Sequence, residues 1–532
     1  MKKILNTNYG WALFLLFLLA INLLASLKHS RIDLTRDKRY TLSEPVKKML
    51  RNLDGQVDIT VFLKGDMPAG FKKLAANTED LLREFKEFGK THLRFNFMKP
   101  GEGMSDADAT RFLDSLHNLG LNPTNVKAQV KDGEGQEERY LYPGALIRYG
   151  GKAAVVDLLQ GQSRVEGINS LNNAEALLEY RFAGAIHQLT RSRVPRIGYL
   201  SGNGEPLDYE VYSLIEGTIR PNYEFNILPV DSVPAIPPAF DALMVVKPTV
   251  AFTDEQKLKL DQYIMQGGKV LWMIDELYAE MDSLQRVQSE FIAFDRNLNL
   301  EDLLFKYGVR INPDLVQSLN ADKFGMVIGN MGGKPQMDLL PWPYFPLLQN
   351  TSGHPIARNL DYISSQFPNS IDTVEAAGIR KTILLTTSGE ARILHTPAKV
   401  MLQSIRSEED IRTFTLENVP VAVLLEGKFS SLYTYRISPA MKDSMAAHGF
   451  PFREQNSADN KMIVVSDGDL ALNAVSQSDG PLPLGTNLFT RYQYANREFI
   501  LNCLEYLTDN SGILETRGKD YTLRLLDKAK MA

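Results

Sequence analysis

One cysteine, Cys503, stands in the 532 residues. A lone thiol excludes an intramolecular disulfide framework and any multi-cysteine metal site. It does not choose a compartment, because a disulfide-free protein can live on either side of a membrane. The seven histidines are scattered, with no two at i, i+4. There is no basic excess: 59 Lys and Arg face 64 Asp and Glu, a net charge of −5, so nothing marks a nucleic-acid binder. No G-x-S-x-G elbow and no phosphate-loop lysine motif is present. No internal repeat or low-complexity stretch appears. What remains is ordinary globular composition, 44% hydrophobic and 23% charged, which excludes disorder, collagen and coiled coil as whole-chain readings. At roughly 150 residues per domain, the length allows about three or four domains or two large ones.

Long apolar runs are also scarce, and the single one is at the N-terminus. From Tyr9 to Leu27 no residue is charged, and Asn22 and Ser26 are the clearly polar ones. Nineteen residues at a rise of 1.5 Å span about the hydrocarbon thickness of a bilayer. Tyr9 and Trp11 sit where an interfacial aromatic belt would. A cleaved signal peptide has a shorter apolar core and a small-x-small cleavage site; Ala25-Ser26-Leu27 is a poor one. Residues 9–27 therefore read as an uncleaved anchor behind a short tail, 1–8, with Asn22 as a polar side chain able to face a partner helix. Lys2 and Lys3 on one flank oppose Lys28, Arg31, Arg36, Lys38 and Arg39 on the other. The charge count leaves orientation open, since long domains translocate largely regardless of it. The chain reads as single-pass, with its bulk on one side of the membrane.

Residues 28–192 have the pattern of an α+β domain. Gln56–Lys64 alternates as a half-buried strand does. Leu74, Leu81, Leu82, Phe85 and Phe88 mark one helix face. Leu93–Met98 is a strand, Met104–Leu119 a helix, Lys131–Glu138 a polar hairpin tip, and Arg139–Leu159 a set of strands. Ala174 through Leu189 forms one long amphipathic helix. After the Arg191–Arg196 junction, residues 193–510 change style. Apolar strands at Arg196–Leu200, Asp241–Val246 and Lys269–Ile274 alternate with a helix opened by a Thr253/Gln256 capping box. This predicts a doubly wound α/β domain with a parallel sheet. An insertion at about 300–415 interrupts it, and strand character returns at Ile383–Thr386, Val419–Leu425 and Lys461–Val465. Asn496–Leu507 is a helix, and 511–532 is a C-terminal tail.

Few motifs suggest chemistry. Gly202-Asn203-Gly204, followed by Glu205, could cradle a phosphate, but Leu207 stands where the third glycine of the dinucleotide pattern belongs. The alternative is a tight strand-to-loop turn. Asp467 and Asp469 at a strand end could hold a hard cation, with Asp275-Glu276 joining them. The alternative is a turn in which Asp469 caps the next helix. Cys503 lies in an apolar helix and reads as a buried structural thiol. In Pro341–Pro346 the prolines forbid a regular central strand. That segment should wrap a surface, with Trp342, Tyr344 and Phe345 either forming an interaction rim or filling a gap over the core. No catalytic residue, cofactor or metal site is assigned from these motifs.

A set of loose motifs, taken in order, resembles the GldG gliding-motility family, extracytoplasmic auxiliary (substrate-binding) subunits of bacterial ABC-type transporters. The residues that carry it are Asp33-Leu34-Thr35, Arg39–Glu44, Ser201–Pro206, Gln262-Tyr263-Ile264 before Gly267-Gly268-Lys269, Pro341–Pro346, His354-Pro355-Ile356 and Ser466–Asp469. The resemblance implies a non-enzymatic protein of the inner membrane, its bulk periplasmic. It would work with a separate multi-span permease and a separate ATPase. It also implies an α/β domain similar to class I glutamine-amidotransferase-like folds and to a domain of intraflagellar transport proteins. Family members often carry His where Asn203 stands, and many end in a second membrane helix where this chain ends at Lys528–Ala532. The alternatives are a periplasmic small-ligand-binding or scaffold protein and, less favoured, an anchored α/β hydrolase or amidotransferase. An uncleaved anchor predicts that N-terminal sequencing of the membrane-bound protein finds residues 1–27 retained; a start near Lys28 would refute it.

Overall fold

The computed structural model describes residues 14–19, 41–129, 136–159, 168–281, 284, 290–331, 334–405 and 407–518. Two compact units are present: Met1–Leu42 with Lys519–Ala532, and Ser43–Gly518. In the first, Phe14–Leu19 is helical with exposed side chains. The expected anchor residues Tyr9, Trp11, Asn22 and Leu27 lie outside the described residues, and no helix among those described is long and apolar enough to cross a membrane.

The second unit begins with α1 (Glu44–Arg51), β1 (Val57–Val61), α2 (Ala69–Gly89), β2 (Leu93–Phe97) and α3 (Asp106–Asn118). It continues through the hairpin β3 (Thr124–Gln129) and β4 (Gln136–Leu141), then β5 (Gly144–Tyr149) and β6 (Lys152–Asp157). Four of these strands form a sheet in the order β2-β1-β5-β6. Val57, Ile59 and Val61 are buried while Asp58 is exposed, the two-residue period read in the sequence. Helix α2 buries Phe71, Leu74, Thr78, Leu82 and Phe85, one stripe at helical spacing. The expected hairpin tip is shorter than predicted, because Gln136–Glu138 already pairs in β4. The single long helix expected after it is two, α4 (Ile168–Ala176) and α5 (Leu178–Thr190).

The α/β part runs β7 (Arg196–Ser201), a π-helical turn (Ser213–Ile219), β8 (Glu224–Pro229), β9 (Ala242–Val246), α6 (Asp254–Met265) and β10 (Val270–Met273). Then come β11 (Leu277–Tyr278), β12 (Glu290–Asp295), α7 (Glu301–Tyr307), β13 (Val309–Ile311), β14 (Asp314–Ser318), β15 (Ala321–Met331) and β16 (Lys334–Gln349). Further strands are β17 (Ile363–Ser364), β18 (Ile371–Thr373), β19 (Ile379–Thr387), β20 (Ala391–His395), β21 (Ala398–Met401), β22 (Pro420–Gly427) and β23 (Asn460–Val465), and a short pair, Val475–Ser476 with Gly480–Pro481, comes after them. Helix α8 (Asn496–Thr508) follows. The main sheet has ten strands in the order β15-β16-β19-β22-β23-β10-β9-β7-β8, with β17 on β16. From β23 to β8 the strands are parallel. From β15 to β23 they are antiparallel.

The doubly wound expectation thus describes half of a mixed sheet. Strands β9 and β10 are buried along their whole length, as continuous apolar runs in a parallel sheet are. One face is covered by α8 and the π-helical turn, the other by α6 and α7. The capping box is formed: Thr253 accepts from the Gln256 amide, and the Gln256 side chain accepts from that of Thr253. Strand β8 escaped the sequence reading because it is an edge strand with mostly exposed residues and no clean alternation.

Part of the region expected as an insertion at 300–415 lies in the main sheet, while β13-β18, β14-β20 and β21 pair in small sheets of their own. β16 and β19 extend the main sheet, so it does not wait until 415 to resume. Six residues of β16, Pro341 to Pro346, stand against three of β15, Lys323 to Ala321. The prolines therefore sit where the ladder is already broken, which is how a strand tolerates them. Their neighbours are no exposed rim. Trp342, Tyr344 and Phe345 are buried, with the Trp342 ring 4.8 Å from Phe345, 5.3 Å from Phe324 and 5.6 Å from Phe367. The Tyr344 hydroxyl donates to the Lys399 carbonyl at 2.9 Å, and the Trp342 indole to that of Met401 at 3.3 Å.

Side-chain contacts cross the boundary expected at 192/193 within the second unit. Helix α5 is tied to α8, where the Tyr180 hydroxyl donates to Glu505 at 2.6 Å. The expected C-terminal tail is folded up to Gly518: Leu514–Gly518 is a short 3-10 turn, and Ile513, Leu514, Thr516 and Arg517 are buried. Trp342→Ala should empty the centre of the aromatic cluster and lower stability by about 3–5 kcal/mol, read by urea unfolding. A loss under about 1 kcal/mol would show that the rings are not cohesive.

Candidate functional site at the carboxyl edge of the sheet

Parallel strands joined by crossovers end on one edge, and ligands in such folds bind where the strand order reverses. Here that place lies between β7 and β9. Gly202, Gly204 and Glu205 leave β7 there, and Asp467 and Asp469 leave β23 farther along the same edge. The residues singled out in the sequence thus share an edge, yet they form separate groups. Lys247 turns toward β23, while Thr249 and Val250 turn toward β7.

The β7 turn is closed on itself. The Asn203 carbonyl accepts from the amides of Thr249 at 2.8 Å and Val250 at 2.9 Å. The Asn203 side chain donates to Gln256 at 3.0 Å, and Gln256 donates to Asp231 at 2.8 Å. Gly204 has φ +77°, and a Cβ there would lie 2.1 Å from the Thr249 hydroxyl oxygen. Only glycine allows this approach. The amides that would cradle a phosphate face the chain's own carboxylate: Glu205 accepts from the Asn203 amide at 2.8 Å. Burial raises the Glu205 pKa, against the pull of the Glu205, Asn203 and Gly202 amides.

At the ends of β9, β10 and β23 a buried ammonium is ringed by carboxylates. Lys247 Nζ donates to Asp469 at 2.5 Å and pairs with Asp275 at 3.2 Å and Glu280 at 3.3 Å. Arg296, its side chain buried, pairs with Glu280 in turn. Lys247 sits at φ +44°, and Gly468 leaves it room, since a Cβ there would lie 2.7 Å from the lysine Cβ. Burial pushes the ammonium down, and Asp469, Asp275 and Glu280 together push it up further, so the net direction is up. Burial pushes Asp469 up to about 7, with Lys247 pulling down and Asp275 and Glu280 adding to the rise. Burial, Asp469 and Asp275 hold Asp467 well above the carboxylate range. Asp467, not Asp469, caps the next turn, accepting from the Leu470 amide at 3.2 Å. Asp275, Asp467 and Asp469 have cation-ligand spacing, but Lys247 is already the cation among them.

A second acidic group lies beside it. Glu276, Asp295 and Glu301 bring carboxylate oxygens within 4.8 Å of one another. Burial, then Glu301 and Asp295, push Glu276 up to about 8. Asp295, Glu301, Glu280 and Arg296 escaped the sequence reading, being far apart in the chain. Cys503 is buried in α8 and burial pushes its thiol well up, as expected of a structural thiol.

Away from this edge, a cleft of about 580 Å³ lies between α5, β6 and α8. It is lined by Tyr180, Arg181, Arg191, Tyr223, Glu505 and Arg517 among others. Arg517 stacks 4.8 Å over Tyr180 and Arg191 5.9 Å over Tyr223. Burial lowers Arg181 to about 10.

Residues 194–503 match the family described as "ABC-type uncharacterized transport system", and residues 36–148 match a domain of unknown function (DUF7088). No curated protein matches the chain at a significant level. Among solved structures, the chain is similar to the "mmIFT52 N-terminal domain" at 13% identity, over 59% of this chain and 97% of that one, with a TM-score of 0.31.

Lys247→Met should leave the ring of carboxylates without its cation and cost about 3–5 kcal/mol at neutral pH. The folded-state pKa of Asp469 lies above its unfolded value. Its stabilising contribution is therefore present at low pH and lost as pH rises through about 7. The deficit of the variant, read by urea unfolding, should be smaller at pH 5 than at pH 8. An equal deficit at both would refute the network as described.

Proposed function

We propose that this chain, which belongs to the ABC-type uncharacterized transport system family, is a non-enzymatic auxiliary subunit of an ABC-type transporter linked to gliding motility. It is anchored in the inner membrane by residues 9–27 and carries its bulk in the periplasm. A separate multi-span permease forms the path, because one helix encloses no aqueous channel, and a separate ATPase drives it.

The match over residues 194–503 carries this reading. The sheet edge supports it. A hydrolase or transferase of this fold needs a nucleophile with a base in reach and room for substrate. Here Lys247 is held by three carboxylates, Glu205 fills its own amide nest, and the Cys503 thiol is buried. The small-ligand-binding alternative is favoured by one observation, the cleft beside α5. Its volume suits a small molecule, and its lining carries both signs of charge.

The test is affinity purification of the tagged full-length chain from detergent-solubilised membranes of its own cells. A multi-span permease and a nucleotide-binding subunit should co-purify. Recovery of the chain in the soluble fraction, or from membranes with neither partner, would overturn the proposal.

A further inference from the structure

Most charged side chains on the cleft between α5, β6 and α8 are matched within the chain. Arg193 donates twice to Asp241, at 2.9 and 3.1 Å. His187 pairs with Asp509 at 3.6 Å, and Arg497 with Glu498 at 3.8 Å. Glu505 accepts from the Tyr180 hydroxyl at 2.6 Å, and Asp157 from the Leu159 amide at 2.8 Å. Arg181 donates to the Asp157 carbonyl at 3.1 Å and to that of Leu158.

Two guanidiniums differ. Among the described residues, Arg191 and Arg517 form an ion pair with no carboxylate. Each gives Nη2 to a backbone carbonyl, Arg191 to that of Asn222 and Arg517 to that of Arg358 at 2.9 Å, and the buried Nε of each meets no acceptor. Among the described residues no other cationic side chain leaves a buried nitrogen unmatched, and both of these line the one cleft. Glu505 is in electrostatic range of both, but it is held by Tyr180. Arg517 is only 3% exposed. A guanidinium presents five donors, and burying its charge without acceptors is costly.

Free space adjoins them. Gly184 stands in the middle of α5 and lines the cleft, and a Cβ on it would meet nothing within 4 Å. Glycine inside a helix is less favourable than alanine, so packing within the chain gives no reason for it. Ala185 beside it, with Ala153 and Ala154 on β6, keeps the same wall small.

We propose that this cleft binds a small organic carboxylate, its anionic end on Arg191 and Arg517 and its uncharged body along the Gly184 wall. The unmatched charges are both positive, so the ligand is an anion. A guanidinium fork suits carboxylate and phosphate alike. Helices α5 and α8 both end at the cleft, at Arg191 and Asp509. The partial negative charge of helix C-termini opposes the dense charge of a phosphate dianion and decides for a carboxylate. The inference rests on the small-ligand reading of this cleft and is independent of the transporter assignment.

The test is calorimetric titration of the full-length chain in detergent, without permease or ATPase, with benzoate as the probe. Benzoate should bind saturably with a Kd of about 10⁻⁴–10⁻³ M, the range for so small a ligand. Benzamide, its neutral counterpart, and inorganic phosphate should bind at least about tenfold more weakly. Arg191→Gln and Arg517→Gln should each weaken benzoate binding about tenfold or more. Arg193→Gln, which removes a guanidinium already held by Asp241, should change affinity by less than about twofold. Gly184→Leu should abolish binding by filling the cleft while the Tm is no lower, since leucine favours a helix; it gives the answer should an arginine variant fail to fold. Absence of saturable benzoate binding, equal affinity for benzamide or phosphate, or affinity unchanged in Gly184→Leu would overturn the carboxylate site. Co-purification of a permease and an ATPase is read separately, so such a failure would leave the transporter proposal standing.

Discussion

The carboxyl edge of the sheet is organised around a buried ammonium. Taking a lysine out of water is unfavourable by several kcal/mol unless opposite charges meet it at close range. Lys247 is met by Asp275 and Glu280 from the segment after β10 and by Asp469 from the segment after β23. The pairing constrains the backbone as well as the charges. Lys247 takes a left-handed conformation, and position 468 must be glycine because the lysine side chain occupies the space of a Cβ. The exits of β9, β10 and β23 are therefore locked to one another, and Arg296, just after β12, joins the same network through Glu280.

That lock bears on function. In doubly wound sheets the exits of the strands are where ligands enter, because the loops diverge where strand order reverses. Here the loops converge. Asn203 fastens the β7 turn to the segment after β9 and to the start of α6 through Gln256. Glu205 supplies its own anion to the amides of that turn. Lys247 is held by its three carboxylates, and the open polar cleft lies elsewhere, beside α5 and α8.

The parts of this architecture legible in the sequence are those with a local cause. The capping box of α6 depends on residues three apart, and the apolar runs of β7, β9, β10 and β23 on burial from both faces. The α2 stripe follows from helical period. Strand β8 was not legible, because an exposed edge has no burial pattern to impose. The region 300–415 misled for a related reason. Its prolines mark a broken ladder between β15 and β16, but a ladder can break over a few residues while the strand continues and its rings turn inward. The acidic clusters were half legible. Strand-end aspartates are visible as a motif, whereas Lys247's place among them, and the meeting of Glu276 with Asp295 and Glu301, depend on how distant loops fold back.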